Sequence, residues 1–306
     1  VPARLADAHR AHPKRGHIHA DSEAARNAGV SDSRGLRIPE DVSDVRRALR
    51  TSVLRAVPRF RILRVGGHPV NTGSDMRSEG VIQFEMEHEP RALESRRHGE
   101  LACELIAWRE IMALTGLVGQ DPSRYEGAGY GNVSARFGPR NAAIGRRSFL
   151  ITGSQTSGKR RIGLEDFAVV EEYDYAANRI HSGGPVLPSS ESLTHAAAYD
   201  ASPLVQCVLH AHSPVLWQRR RALRLPETDP GAANGTPAMA REVSRLYRET
   251  VLPERRILAM GGHEDGILVL GRDPEEAGSV LLRWLARAYG AACGDPDGRD
   301  SACDIR

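Results

Sequence analysis

Two histidines stand two positions apart in the run Cys207-Val208-Leu209-His210-Ala211-His212. In an extended strand such residues point to the same face, so His210 and His212 can present both imidazoles to one point. A third imidazole would complete the three-nitrogen donor set of a catalytic zinc-type site, with one coordination position left open. Upstream lies Pro188-Ser189-Ser190-Glu191, and far downstream Gly261-Gly262-His263. A metal held by such a set polarises a carbonyl and holds negative oxygen, and a nearby carboxylate can then move protons. The pattern reads as metal-dependent carbon chemistry. Each residue also has a plainer meaning. One histidine on an apolar strand is usually a core or surface residue, His263 alone is an ordinary loop residue, and Ser with Glu nearby is a normal helix start. The same-face pair lifts ligation above that background. His195, four residues after Glu191 on the same helix face, reads as structural or supporting rather than as a ligand.

The elements that must position these residues follow from hydrophobic periodicity. Pro203 to His212 predicts a buried strand, preceded by a helix capped at Ser189 or Ser190 and running to Tyr199. Leu93, Leu101, Leu105, Ile106, Trp108, Ile111 and Leu114 recur at helical spacing over 91–117. A turn-rich stretch with Gly127, Gly129 and Gly131 leads into a strand over 132–137. Further strands are predicted over 148–152, from Phe167 onward, over 256–260 and over 267–270. Helices are predicted over 236–249 and, opened by Asp273-Pro274, to about Tyr289. Residues 291–306 read as a loose polar tail.

The chain of 306 residues is 40% hydrophobic, enough for a sizeable core. Its net charge of +3 hides an asymmetry: residues 1–75 hold 14 Lys and Arg against 8 Asp and Glu, and the rest holds 28 against 31. An acidic body with little aromatic interleaving argues against nucleic-acid binding. Cys103, Cys207, Cys293 and Cys303 show neither paired metal spacing nor a disulfide framework, which suits a reducing cytoplasm. No apolar stretch is long enough to span a membrane. Residues 1–36 have almost no large apolar side chain, so disorder is the expectation there. A weak helical rhythm over 41–57 and a short strand over 60–65 follow. The sequence begins with Val1 and its first methionine is Met76. Translation starting near Met76 is the expectation, with much of 1–75 an over-extended reading frame or tag and a genuine basic arm as the alternative. The main domain is expected over 76–290.

Gly131-Asn132-Val133-Ser134, the strand and loop Leu150-Ile151-Thr152 to Gly158, Leu187-Pro188-Ser189-Ser190-Glu191 and His210-Ala211-His212 occur in the order seen in class II aldolase/adducin proteins, and the chain resembles the fuculose-1-phosphate type of aldolase among them. The resemblance covers roughly Val81 to Gly290. It implies one three-layer α/β/α domain around a mainly antiparallel sheet, assembled as a homotetramer. It implies that His210, His212 and His263 hold a divalent metal, most often Zn2+, and that Glu191 is the catalytic acid/base. Gly131, Asn132, Ser189 and Ser190, with Thr156 and Ser157 of the 153–158 loop, match positions that hold a substrate phosphate. A helix beginning at Ser189–Ser190 also favours an anion. The activity implied is aldol cleavage or formation in a ketose or ketose phosphate through a metal-stabilised enediolate. Epimerisation, dehydration, decarboxylation and non-catalytic adducin-like binding are the alternatives.

Three departures set this chain apart. His263 is followed by Glu264-Asp265-Gly266 where family aldolases usually have His-Gly, so two acids can reshape the metal's surroundings or add a base. The phosphate loop is longer than usual. No tyrosine lies between His212 and Tyr247 and none follows Tyr289, regions from which family aldolases commonly take a proton donor, so another donor is expected. Two further chemistries are weak. Gly153 to Lys159 has P-loop spacing, but Arg160 stands where Ser or Thr would hold magnesium. A Schiff-base mechanism has only Lys14 and Lys159 to draw on, and Arg160-Arg161 makes an apolar pocket around the latter improbable.

Overall fold

Cys207–His212 is buried along its whole length. Its residues alternate between two apolar cores: Cys207, Leu209 and Ala211 belong to one, and Val208 to the other. A strand enclosed on both faces needs a covering layer on each side, and the rest of the chain supplies them. The structure is a computed structural model that describes residues 80–293.

The elements in order are β1 (Glu85–Pro90), α1 (Ser95–Leu114), β2 (Gly119–Gln120), β3 (Gly129–Tyr130), β4 (Asn132–Arg136), β5 (Phe149–Thr152), β6 (Phe167–Asp174), β7 (Arg179–Gly184), α2 (Ser192–Ala201), β8 (Cys207–His212), α3 (Pro214–Gln218), α4 (Pro237–Glu249), α5 (Leu252–Arg255), β9 (Ile257–Ala259), β10 (Gly266–Gly271) and α6 (Pro274–Cys293). One eight-stranded sheet has the order β1-β7-β6-β5-β4-β8-β10-β9, and β2 pairs with β3 as a separate ribbon. Within the large sheet every neighbouring pair is antiparallel except β1 with β7.

On one face Ala102, Leu105 and Met112 of α1, Leu216 of α3 and Ala277, Leu281 and Trp284 of α6 pack on Val133, Leu150, Leu209, Ile267 and Val269. On the other, Leu193 and Ala197 of α2, Met239 and Val243 of α4 and Leu252 of α5 pack on Phe149, Ile151, Val208, Leu258 and Leu268. The result is the expected α/β/α sandwich. Each fully buried aliphatic side chain contributes about 1.5–3 kcal/mol relative to exposure. Where α1 meets α6, Gly278 is required, because a Cβ there would collide with the Trp108 indole. Among the described residues no helix is long and apolar enough to cross a membrane.

The structure corrects several boundaries. β1, β2, β3, β7, α3 and α5 are additional to the predicted elements. Pro203 and Leu204 form a turn, closed by the Val205 N–H donating to the Ser202 carbonyl at 3.2 Å, and the histidine strand starts at Cys207. Helix α2 starts at Ser192 with Glu191 as its N-cap, not at Ser189 or Ser190. Residues 291–293 are the last turn of α6 rather than tail. The readings for 1–75, the helix over 41–57, the strand over 60–65 and the remainder of the tail lie outside the described residues.

Candidate metal centre and active site

β8 lies between β4 and β10, with His210 opposite Asn132 on one side and Leu268 on the other, and His212 opposite Gly266. With Val208, the two histidines face the α2/α4 side of the sheet. His263 sits in the turn between β9 and β10, closed by the His263 N–H to the Met260 carbonyl and the Gly266 N–H to the His263 carbonyl, both 3.0 Å. That turn brings the third imidazole over the first two. The Nε2 atoms lie 3.2 Å (His210–His212), 3.2 Å (His210–His263) and 3.0 Å (His212–His263) apart, and all three residues are buried. A tetrahedral ion with nitrogens at about 2.0–2.1 Å separates them by roughly 3.3 Å. The three imidazoles are also the group that can hold a metal among the described residues.

Their protonation fits the same purpose. The His210 Nδ1 faces the Ile267 carbonyl oxygen at 3.3 Å. A carbonyl only accepts, so Nδ1 carries a proton, and in the neutral ring the lone pair is then on Nε2, facing the centre. Burial pushes His212 down to about 3, with Asp265 partly opposing it, and pushes His263 well below the ordinary imidazole range. Neutral imidazoles are the form that binds a metal.

Glu191 is buried at the N-terminus of α2, and its side chain makes no capping bond to that helix. One turn along, His195 is fully buried and faces Ser134 Oγ of β4 through Nδ1 at 2.7 Å, with Tyr199 Oη 2.5 Å from the same hydroxyl. Burial and, secondarily, His210 push His195 well below its ordinary range. This first turn of α2 therefore lies beside His210, and His195 is not among the three imidazoles that converge.

The residues matched to phosphate positions are drawn together by the chain itself. Gly131 has φ +75°, and a Cβ there would lie 3.0 Å from the Leu117 carbonyl and 3.1 Å from that of His210, so only glycine fits. Asn132 is buried and its Oδ1 has no partner within the described residues. Ser157 Oγ donates to the Gly131 carbonyl at 2.9 Å and Thr156 Oγ1 to the Gly153 carbonyl at 2.7 Å, so both hydroxyls brace the loop. The Ser154 N–H donates to the Leu187 carbonyl at 2.8 Å, joining this loop to the segment that carries Ser189 and Ser190. Ser189 Oγ accepts from the Glu191 N–H at 3.3 Å, and Ser190 is buried. Arg109 of α1, not anticipated from sequence, is buried and donates to the Ser157 and Lys159 carbonyls at 2.7 and 2.6 Å, fixing the loop from below.

A second group missing from the sequence reading lies against His212. The Tyr125 and Tyr130 rings pack on its imidazole at centroid distances of 4.6 and 5.4 Å. Tyr125 Oη donates to Asp265 Oδ2 at 2.6 Å, so of the two acids after His263 it is Asp265 that adjoins the centre, while Glu264 is exposed. Ser123-Arg124-Tyr125 gave no local signal beyond turn propensity.

Residues 121–284, more than half of the chain, match the family described as Class II Aldolase and Adducin N-terminal domain. The chain belongs to this family. Two curated relatives, the methylthioribulose-1-phosphate dehydratases of two strains of Stenotrophomonas maltophilia, are 39% identical to it over 85 residues. That stretch is 28% of this chain and 33% of each relative, so the chain spans about a third of the length of the curated relatives it matches. Among solved structures it is similar to L-fuculose-1-phosphate aldolase from Thermus thermophilus, with 21% identity, coverage of 66% of this chain and 100% of the other, and a TM-score of 0.46. A sugar-phosphate aldolase from Thermotoga maritima aligns with 13% identity over 67% of this chain and 98% of its own, with a TM-score of 0.49.

In this class II aldolase-family chain the two competing chemistries lose their footing. Lys159 Nζ is ion-paired to Asp166 at 2.5 Å and half-exposed, not in an apolar pocket. No helix follows Lys159 to receive a nucleotide phosphate: after Leu164–Asp166, a single turn, the chain enters β6.

Burial of neutral imidazoles has a consequence for the metal-free protein. His195, His212 and His263 all sit below their unfolded values near 6.5. As pH falls below that value the unfolded chain takes up protons first, so stability is complete above about pH 6.5 and declines beneath it. Three such groups remove up to about 4 kcal/mol per pH unit. The melting temperature of metal-free protein is therefore expected to fall by on the order of 10 °C between pH 7.5 and 5.5. A flat profile would show that these imidazoles are not buried in the neutral form.

Proposed function

We propose that this protein is a divalent-metal-dependent lyase acting on a ketose phosphate, with aldol cleavage or formation as its reaction. The observation that carries this reading is the convergence of three buried imidazole Nε2 atoms within 3.2 Å of one another. His210, His212 and His263 would hold the ion, which supplies a Lewis acid for a carbonyl oxygen when bound. Glu191 is the acid/base: its carboxylate takes the proton released at the reacting carbon or hydroxyl and returns it. Gly131, Asn132, Ser189 and Ser190 bind the phosphate end together with the main chain at Thr156 and Ser157, whose hydroxyls brace the loop. The unpartnered Asn132 Oδ1 gives that subsite an acceptor for a substrate hydroxyl, and Arg109 keeps the loop amides in place. Zn2+ is the ion proposed, and a homotetramer working on cytoplasmic sugar phosphates is the proposed setting.

Dehydration is the second reading, favoured by the 39% identity to methylthioribulose-1-phosphate dehydratase over 85 residues. Both reactions begin by removing a proton next to, or through a hydroxyl near, a polarised carbonyl, and they part at the bond that breaks. Metal-loaded protein incubated with a panel of ketose 1-phosphates distinguishes them. Cleavage releases an aldehyde, read by a coupled reductase. Loss of water leaves a vicinal dicarbonyl, trapped as a quinoxaline with an aromatic diamine. Aldehyde release is expected, dicarbonyl formation would move the protein to the dehydratase side, and neither product across the panel would count against catalysis on ketose phosphates.

A further inference from the structure

The turn that carries His263 and the end of the His212 strand are tied together by the loop between β2 and β3. Arg124 and Tyr125 lie between β2 and β3, in a segment where Tyr125 (φ 49°) and Glu126 (φ 57°) both adopt the left-handed conformation that non-glycine residues avoid. A third such residue, Asp265 (φ 61°), lies two positions beyond the ligand His263. Strained backbone persists where the surroundings over-determine it, and here they do. Tyr125 Oη donates to Asp265 Oδ2 at 2.6 Å and accepts from Arg124 Nη2 at 2.6 Å. Arg124 Nη1 also donates to Tyr130 Oη at 3.1 Å, its Nη2 is 3.7 Å from Asp265 Oδ2, and its guanidinium lies 4.9 and 4.6 Å over the two tyrosine rings. Both rings in turn pack on His212. The Asp265 carbonyl accepts the N–H of Ser213, the residue after His212, at 2.8 Å.

Three separate segments therefore meet at one residue, Asp265 of the turn carrying His263: the end of the His212 strand at its main-chain carbonyl and the 124–125 loop at its carboxylate. We infer that Arg124, Tyr125 and Asp265 form a positioning clamp for the three-histidine centre, setting how tightly and in what geometry the metal is held. The tyrosine hydroxyl is committed to Asp265 and Arg124, so its part is to hold the His212 ring and the His263 turn in register. This rests on the reading of the histidines as metal ligands. Outer partners that orient metal ligands typically change affinity by about 10–100-fold when removed.

Tyr125→Phe keeps the ring against His212 and deletes the bond to Asp265; Asp265→Asn, at a position where asparagine tolerates the left-handed backbone, removes the charge. Metal-free wild type, both single variants and the double variant are titrated with Zn2+ against a chromophoric chelator. Their Co2+ forms are compared by visible absorption, and the metal-free forms by circular dichroism. Expected are a loss of Zn2+ affinity of about 10–100-fold in each single variant, an altered Co2+ spectrum with an unchanged fold, and a double variant hardly worse than the weaker single. Wild-type affinity and spectrum in Tyr125→Phe, or fully additive losses in the double variant, would overturn the clamp alone. Failure of the wild type itself to bind Zn2+ or Co2+ would overturn the metal reading and the clamp with it.

Discussion

Glu191→Gln is expected to lower turnover at least about a hundredfold while leaving metal and substrate affinity close to wild type. A hundredfold loss corresponds to about 2.7 kcal/mol on the barrier, the scale of a lost proton transfer. Glutamine keeps the size and hydrogen-bonding ability of the side chain but cannot accept a proton as a carboxylate does. Glu191 is the N-cap of α2, yet its side chain makes no capping bond there, so the substitution removes no cap. Three roles give three separate results. An acid/base loses turnover and keeps metal; a permanent fourth ligand loses metal affinity; a residue that merely starts a helix changes stability slightly and turnover hardly at all. Metal analysis, melting and steady-state kinetics on this one variant separate them. Near-normal turnover with full metal would remove Glu191 from the mechanism.

The parts of this molecule that were readable from sequence are those fixed by short-range periodicity. Period-two spacing in Cys207–His212 put His210 and His212 on one face, and the Asp273-Pro274 start of α6 is realised with Asp273 Oδ1 accepting the Glu276 N–H at 2.7 Å. β1 was not readable because Glu85-Met86-Glu87-His88-Glu89-Pro90 has no apolar face to bury. It is an edge strand, where charge and proline discourage further pairing. β7 ends in Ser182-Gly183-Gly184, which locally signals a turn. Arg109 was hidden inside an amphipathic helix pattern, since nothing in the spacing of α1 says that one arginine turns inward to two loop carbonyls.

The tyrosines show the limit most clearly. Position in the chain is not position in space, and the stretch after His212 gives no sign that Tyr125, its hydroxyl engaged by Asp265 and Arg124, packs on that histidine. Tyr125 meets Asp265 across 140 positions, through the antiparallel register that brings β4, β8 and β10 side by side. Only the tertiary structure makes that pair visible.

Changing His210 and His212 to alanine together is expected to abolish metal binding while the fold survives, because the ligands and the ladder are separate properties of β8. Backbone pairing joins this strand to β4 through residues 207–210 and to β10 through residues 207–212, and an alanine keeps every one of those main-chain bonds. What goes is two of three nitrogens, leaving His263 alone, too few donors for a catalytic zinc-type site. Wild-type protein is expected to hold about one divalent ion per chain and the double variant essentially none, by elemental analysis after dialysis against buffer without chelator. His195→Ala provides the contrast: its imidazole bonds Ser134 rather than joining the other three, so it should retain the metal. The double variant also lacks His212, one of the imidazoles whose burial opposes acid stability, so its metal-free form should lose less stability than wild type between pH 7.5 and 5.5. Retained fold with lost metal and a flatter acid profile would together tie the three-histidine geometry to the binding of an ion. Full metal occupancy in the double variant would end the metal-centre reading.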